Sequence, residues 1–285
     1  YLSPSRFWNT LAKTTPTPQK ASSPAPLWPD AGLDDLLDLA SRKSSLEFVA
    51  VSAGGVSLDV LQVADMRERL DAAIAANALQ DALATLPLWA KIWPASVILG
   101  HMLRHLPKGD ARILEVGGGC GLSGLVAAAL GLGKVCITDI HDDALLFARI
   151  NILKNGLEQS AEVRKVDVRT DRLDQRYSLI LGAEILYLDY LYRPLVKFFK
   201  RHLAVHTPRE TPSWQPQVLL AGDHRRKAGP FLSRAEAEFR IESRQIGAAQ
   251  TSLTDNDARA ARPRISLYRL THPSSGCRAF TGLRC

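Results

Sequence analysis

Three observations predict an α/β fold with a mostly parallel sheet and helices on both faces. Short apolar runs alternate with amphipathic segments through the middle of the chain, one such run opens directly onto a glycine-rich turn, and the last two strand-like runs have no helix between them. The turn organises the rest. Residues 112–116 read as a buried strand, 117–121 as the turn, 122–130 as a helix and 134–139 as a second strand that ends in an acid. Glycines let backbone amides approach a ligand without side chains in the way, and the following helix points its positive end into the same space. Such a unit is a cradle for a nucleotide-type cofactor.

Which cofactor is a matter of charge. Gly119, Gly121 and Gly124 satisfy the GxGxxG spacing of dinucleotide sites, and Asp139 stands at about the right distance for a ribose contact. Two features favour S-adenosylmethionine (SAM) over NAD: Glu115 lies two residues before the first glycine, and Glu184-Ile185-Leu186-Tyr187 sits at the end of a later strand. A carboxylate beside the turn suits the amino group of a methionine moiety and would repel a pyrophosphate.

The bulk properties narrow the class. A chain of 285 residues is long enough for a doubly wound domain with extensions. Its net charge of +7 comes from the ends: residues 1–29 hold three basic side chains and no acid, and residues 258–285 hold six arginines and no acid. The middle is therefore slightly acidic, which argues against a nucleic-acid-binding face. Cys120, Cys136, Cys277 and Cys285 lack metal-type or CxxC spacing, Cys136 alternates into a buried strand, and no metal site is expected. No run approaches the roughly 18 apolar residues of a membrane span, and no secretory leader is visible.

In chain order, residues 1–32 read as a proline-rich disordered tail, and residues 33–85 as an N-terminal extension. That extension comprises a short acidic helix (33–40), a β-hairpin (46–51 and 56–63, joined through Gly54-Gly55) and an amphipathic helix (65–84). It is expected to cap the sheet or a substrate. The domain proper spans residues 86–270. It starts with Trp89 and Trp93 before a helix at 95–106, whose entry proline suits a first turn. Two tryptophans there are equally readable as core packing or as an aromatic wall for a sulfonium. Beyond Asp139, a helix (144–154), strands (161–168 and 178–183), a helix (190–203), a strand (218–221), a helix (229–239) and two terminal strands (240–246 and 264–270) complete a Rossmann-like seven-stranded sheet. Its last strand is antiparallel, because no crossover helix precedes it. Glu184, Asp139, Asp167 and the glycine turn would then meet at the carboxyl ends of the strands. Asp167 fits an adenine contact or a simple turn cap equally well. Residues 271–285 read as a second tail.

With these pieces assembled, the chain resembles the seven-β-strand SAM-dependent methyltransferases, and within them methyltransferase family 16, a group of protein lysine methyltransferases. The resemblance covers about residues 46–270. It rests on Leu88-Trp89-Ala90-Lys91-Ile92-Trp93-Pro94, on Leu114-Glu115-Val116-Gly117-Gly118-Gly119-Cys120-Gly121, on Thr138-Asp139 followed by Asn151, and on Leu181-Gly182-Ala183-Glu184-Ile185-Leu186-Tyr187. It implies that Glu115, Gly117, Gly119, Gly121 and Asp139 contact SAM, with Asp139 on the ribose, and that Trp93, Asp167 and Ala183 line the pocket. The group's Asp/Glu-x-x-Tyr/Phe motif falls on Glu184 and Tyr187, which implies that Glu184 orients the incoming lysine and Tyr187 shapes its channel. Here the acid is Glu where much of the group has Asp, and Gly118 replaces the Ser or Cys of many relatives.

The expected activity is therefore methyl transfer from SAM to a lysine of a protein substrate, by positioning and without covalent catalysis. A small-molecule or RNA acceptor is one alternative, and a SAM-binding partner protein without turnover is another. The Arg225-Arg226-Lys227 cluster near the presumed active edge reads as a solvated loop or as a holder of an acidic partner. Nucleic acid and membrane partners are not expected, and the chain reads as a monomer in the cytoplasm. An acid-free, hydroxyl-rich start makes the mitochondrial matrix the alternative, and the opening Tyr1 leaves the true start open.

Overall fold

A computed structural model describes residues 28, 30–76, 86–205, 215–247 and 264–273. Most of both expected tails, the end of the 65–84 helix, most of the loop after residue 204 and the loop before the last strand lie outside the described residues. Seven strands form one sheet: β3 (Ala111–Val116), β4 (Gly133–Asp139), β5 (Ala161–Lys165), β6 (Leu179–Ala183), β7 (Gln217–Asp223), β8 (Arg240–Gly247) and β9 (Arg264–Thr271). Their order is β5-β4-β3-β6-β7-β9-β8. The strands from β3 to β7 pair in parallel, and β9 inserts antiparallel between β7 and β8. The sheet is the one expected, with strand β9 reaching Thr271, just into the stretch read as a tail.

The inner parallel strands are apolar on both faces because both are covered, whereas the edge strand β5 alternates and exposes Glu162 and Arg164. Ile113, Val135, Ile137, Leu179 and Leu181 feed one core with α3 (Pro94–Leu103), α4 (Leu122–Ala129) and α5 (Asp142–Lys154). The alternate residues Leu114, Val116, Cys136, Ile180 and Leu220 feed the other, with α6 (Tyr192–His202) and α7 (Gly229–Ala235). Pro94 starts α3 at a position where the missing amide hydrogen costs nothing. Strand β3 thereby delivers the glycine turn to the carboxyl edge, where β4, β6 and β7 also end.

The N-terminal extension corrects one expectation. Strands β1 (Leu46–Ala53) and β2 (Val56–Val63) form a separate antiparallel hairpin that packs on the helices α3, α4 and α5, and not on the sheet. The Leu61 amide donates to Asn151 Oδ1 at 2.7 Å, and the Gly54 amide to His101 Nδ1 at 3.1 Å. A Cβ at Gly54 would stand 2.7 Å from the Gly100 carbonyl oxygen, so the turn approaches α3 only as glycine. Helix α1 (Leu33–Ser41) buries Leu36 and Ala40 against Leu146, Phe147 and Ile150 of α5, and Trp28 packs on the same cluster. Trp28 thus packs on this core although it lies inside the stretch read as a tail. Helix α2 (Met66–Ala75) follows the hairpin.

Candidate active site

The glycine turn is held by its neighbours. Gly117, Gly119 and Gly121 have φ of 61°, 56° and 83°, left-handed values that disfavour any residue with a Cβ. A Cβ at Gly119 would meet the Trp89 carbonyl oxygen at 2.6 Å, because the segment before α3 lies directly against the turn. The Gly118 amide donates to the Thr138 carbonyl at 2.9 Å and Asn151 Nδ2 to the Cys120 carbonyl at 2.9 Å. Asn151 is fully buried, so one side chain ties the turn, α5 and the hairpin together. Gly118 is crowded too: a Cβ there would lie 2.8 Å from Ile137 Cγ2 and 3.1 Å from Glu115 Oε2. The difference from relatives at this position is thus matched by tight local packing.

Glu115 and Asp139 each accept from a backbone amide of the turn or of the helix that follows it. Asp139 is buried at the end of β4; its Oδ2 accepts from the Gly119 amide and its Oδ1 from the His141 amide, each at 3.0 Å. Each oxygen keeps a second lone pair for a hydroxyl ligand. Glu115 is 2% exposed and its Oε2 accepts from the Gly124 amide at 3.0 Å, so the carboxylate points into the first turn of α4. Through this bond Glu115 braces the turn against the start of α4. Burial raises its pKa to about 7, against the hydrogen bonds from Gly124 and Ser123.

The second half of the site joins β6 to β7. Glu184 is the one non-glycine residue with positive φ (57°) among the described residues, a conformation costing on the order of 1 kcal/mol. Three bonds hold it there. Its amide donates to the Ala221 carbonyl at 2.8 Å, Oε1 accepts from the Asp223 amide at 2.9 Å, and Oε2 accepts from Arg226 Nε at 2.7 Å. Both partners of the Glu184–Arg226 pair are buried, at 8% and 7% side-chain exposure. Burial pushes the Glu184 pKa up and that of Arg226 down, and the attraction between them opposes both shifts. Glu184, expected to orient the incoming lysine, is thus paired with the chain's own cation.

Arg226 also lies 5.5 Å from the centre of the Tyr187 ring. Burial, aided by the nearby Asp139 carboxylate, pushes the Tyr187 phenol up to about 12, so it stays protonated near neutrality. Tyr187, Arg226, Glu184 and Asp139 therefore form one electrostatic unit at the strand ends. Ala183, the last residue of β6, sits beside it in register with Ala221. The Arg225-Arg226-Lys227 cluster is not a plain solvated loop. Arg225 pairs with Asp223 through both carboxylate oxygens and Arg226 is buried, and the signal for this was only the position of the cluster just past a strand end.

Two other expected residues stand differently. The Asp167 carboxylate accepts from Arg169 Nε and Nη2 (2.6–3.0 Å) and from the Arg169 amide (2.9 Å), so it caps a turn, the alternative to an adenine contact. Burial opposes ionisation of Asp167, but the Arg169 hydrogen bonds outweigh it and hold the carboxyl below its usual value. Trp93 Nε1 donates to the Leu88 carbonyl at 3.1 Å, and Lys91 Nζ lies 5.2 Å from its ring centre. The cation on that ring is the chain's own. Trp89 packs edge-on against Phe147 at 5.0 Å, as core. No group of His, Cys, Asp or Glu suited to a metal ion occurs among the described residues.

Comparison with known proteins bears on this edge. A family model described as lysine methyltransferase matches residues 63–234. Protein N-lysine methyltransferase METTL21A of Xenopus tropicalis is 36% identical over 163 residues, 53% of this chain and 69% of that protein. METTL21A of Danio rerio is 37% identical over 117 residues (38% and 52% of the two chains). The electron transfer flavoprotein beta subunit lysine methyltransferase of Mus musculus is 26% identical over 126 residues (43% and 48%). The chain thus spans about half the length of the last two relatives. The matched family segment takes in more than half of the chain, including the glycine turn, Asp139 and the Glu184–Arg226 pair, and the chain belongs to the lysine methyltransferase family.

Proposed function

We propose that the carboxyl edge of β3, β4, β6 and β7 binds SAM and presents its methyl group to a lysine side chain of a protein substrate. The observation that carries this reading is the convergence of a left-handed glycine turn, the buried Asp139 and the Glu184–Arg226–Tyr187 unit on one edge, inside the segment matched by the family. The residues fit the cofactor chemically: Asp139 has lone pairs left for two vicinal hydroxyls, and the turn offers backbone in place of side chains. Bound there, SAM supplies a methyl carried on a sulfonium. Asp139 would hold the ribose, and the Trp89–Trp93 segment would border the pocket.

On the acceptor side the chain's task is positioning. Glu184, held in a costly backbone conformation, fixes Arg226 against Tyr187, and the neutral phenol of Tyr187 is a hydrogen-bond donor or acceptor for the amine. The lysine must arrive without its proton, which it loses to solvent; the positive charge of the sulfonium favours that loss by repulsion. Isotopically labelled SAM incubated with this protein and a cell lysate tests the reading. Label in a protein band that survives nuclease and is removed by protease supports it. Label confined to RNA or small molecules contradicts it.

A further inference from the structure

Away from the glycine turn, the loop that follows β5 faces helix α6 across a groove of about 440 Å³. Its lining includes Arg169, Arg172, Arg193, Lys197 and Arg201, and the half-buried or buried apolar residues of its floor include Phe198. The basic residues of α6 recur every four positions because the helix buries Tyr192, Leu195, Val196, Phe198, Phe199 and His202 on its other side. Arg172, Arg193, Lys197 and Arg201 are exposed, and none has an ion-pair partner among the described residues. Arg169 is the exception, being neutralised by Asp167.

The two walls are fixed relative to each other. His202, 1% exposed, accepts the Leu173 amide on Nε2 at 3.0 Å and has Nδ1 2.8 Å from the Phe198 carbonyl, so one imidazole ties the loop to the helix. With Nε2 accepting, Nδ1 carries the hydrogen and the ring is neutral, in keeping with a pKa lowered by burial. Four like charges on a preformed groove repel one another and gain by meeting an anion. Helix α6 follows the Glu184–Tyr187 stretch in the chain, joined to it through the short 3-10 turn Asp189–Leu191.

We infer that this groove docks an acidic segment of the protein substrate, flanking or facing the lysine that enters at Tyr187. The inference rests on the protein-methylation reading above for the identity of the partner, though not for the charge of the surface. A polypeptide fits better than a nucleic acid. The one aromatic residue of the lining, Phe198, is 1% exposed and gives bases no surface to stack on, and the chain outside its two ends is slightly acidic.

The test uses the full chain and poly-L-glutamate, with poly-L-glutamine and poly-uridylate as comparisons, binding being followed by fluorescence anisotropy at low and moderate salt. Poly-L-glutamate should bind, poly-L-glutamine should not, and added salt should weaken the complex. Because the basic terminal segments also attract anions, the decisive comparison is with Arg193→Glu/Lys197→Glu/Arg201→Glu. Three exposed charges, reversed and not merely removed, predict at least about a tenfold loss. The milder Arg193→Lys/Arg201→Lys should bind like the parent, since the charge is kept. SAM affinity, measured in parallel, should be unchanged in both. Equal binding by the charge-reversed chain, or a preference for poly-uridylate that the reversal abolishes, would overturn the proposal. Failure of methyl transfer to lysate protein with poly-L-glutamate binding intact would count against the reaction and leave the groove standing.

Discussion

Replacing Arg226 by methionine separates a structural ion pair from a surface one. The guanidinium and the Glu184 carboxylate are 2.7 Å apart with under a tenth of either side chain exposed. Removing one partner strands the other in a buried site, and for such pairs the cost is about 3–5 kcal/mol. The loss is expected in the Arg226→Met chain, on the order of 10 °C in melting temperature for a domain of this size. The double variant Glu184→Gln/Arg226→Met removes both charges and keeps an acceptor for the Asp223 amide, which the wild type supplies through Oε1 at 2.9 Å. It should recover most of the loss, because replacing a buried pair by neutral groups of similar volume is often close to neutral. Urea unfolding of wild type, both single variants and the double gives the coupling energy directly. A single-variant loss below about 1 kcal/mol, or a double variant no better than Arg226→Met, would show that the pair does not hold this edge together.

Three further outcomes follow from the same geometry. Gly119→Ala forces a side chain into a φ of 56° and against the Trp89 carbonyl, so calorimetry should show SAM affinity falling at least about tenfold, with a stability loss of about 1–3 kcal/mol; unchanged affinity would contradict the placement of the cofactor. Glu115 has its pKa raised from 4.5 to about 7 in the folded chain, so the native state binds the extra proton and the contribution of this group to stability falls as pH rises from about 4.5 towards 7. At about 1.4 kcal/mol per unit the effect is at most roughly 3 kcal/mol, and Glu115→Gln, which still accepts from Gly124, should lose that slope in unfolding measured between pH 4 and 8; a slope identical to wild type would refute it. Tyr187→Phe keeps the ring under Arg226 and removes the hydroxyl, so kcat should drop about tenfold with stability unchanged, whereas an effect on KM alone would assign the hydroxyl to binding instead of chemistry.

Periodicity made the sheet legible. The inner strands β3, β4, β6 and β7 are apolar on both faces, and the missing crossover between β8 and β9 announced the reversed strand. The glycines of the turn and Asp139 were legible because their chemistry is local: a left-handed backbone and a strand-end acid. What a side chain meets across the fold was not. The pairing of Glu184 was not legible because Arg226, its partner, comes from a different loop. Nor does anything in the stretch around Glu115 reveal that the Gly124 amide at the start of α4 donates to its carboxylate. The hairpin was recognisable as a hairpin, but its seat on α3, α4 and α5 depends on Gly54, Gly100 and Asn151, three residues far apart in sequence.

The most direct test of the central claim is the chemical identity of the residue that receives the methyl group. Protein labelled from SAM in the lysate reaction is hydrolysed to amino acids and the label assigned by mass spectrometry, with Gly119→Ala as the matched control. Label in methylated lysine, formed by the wild type and sharply reduced in the control, is the predicted result. Label in any other residue, or transfer that the Gly119→Ala chain performs as well as wild type, would contradict the account.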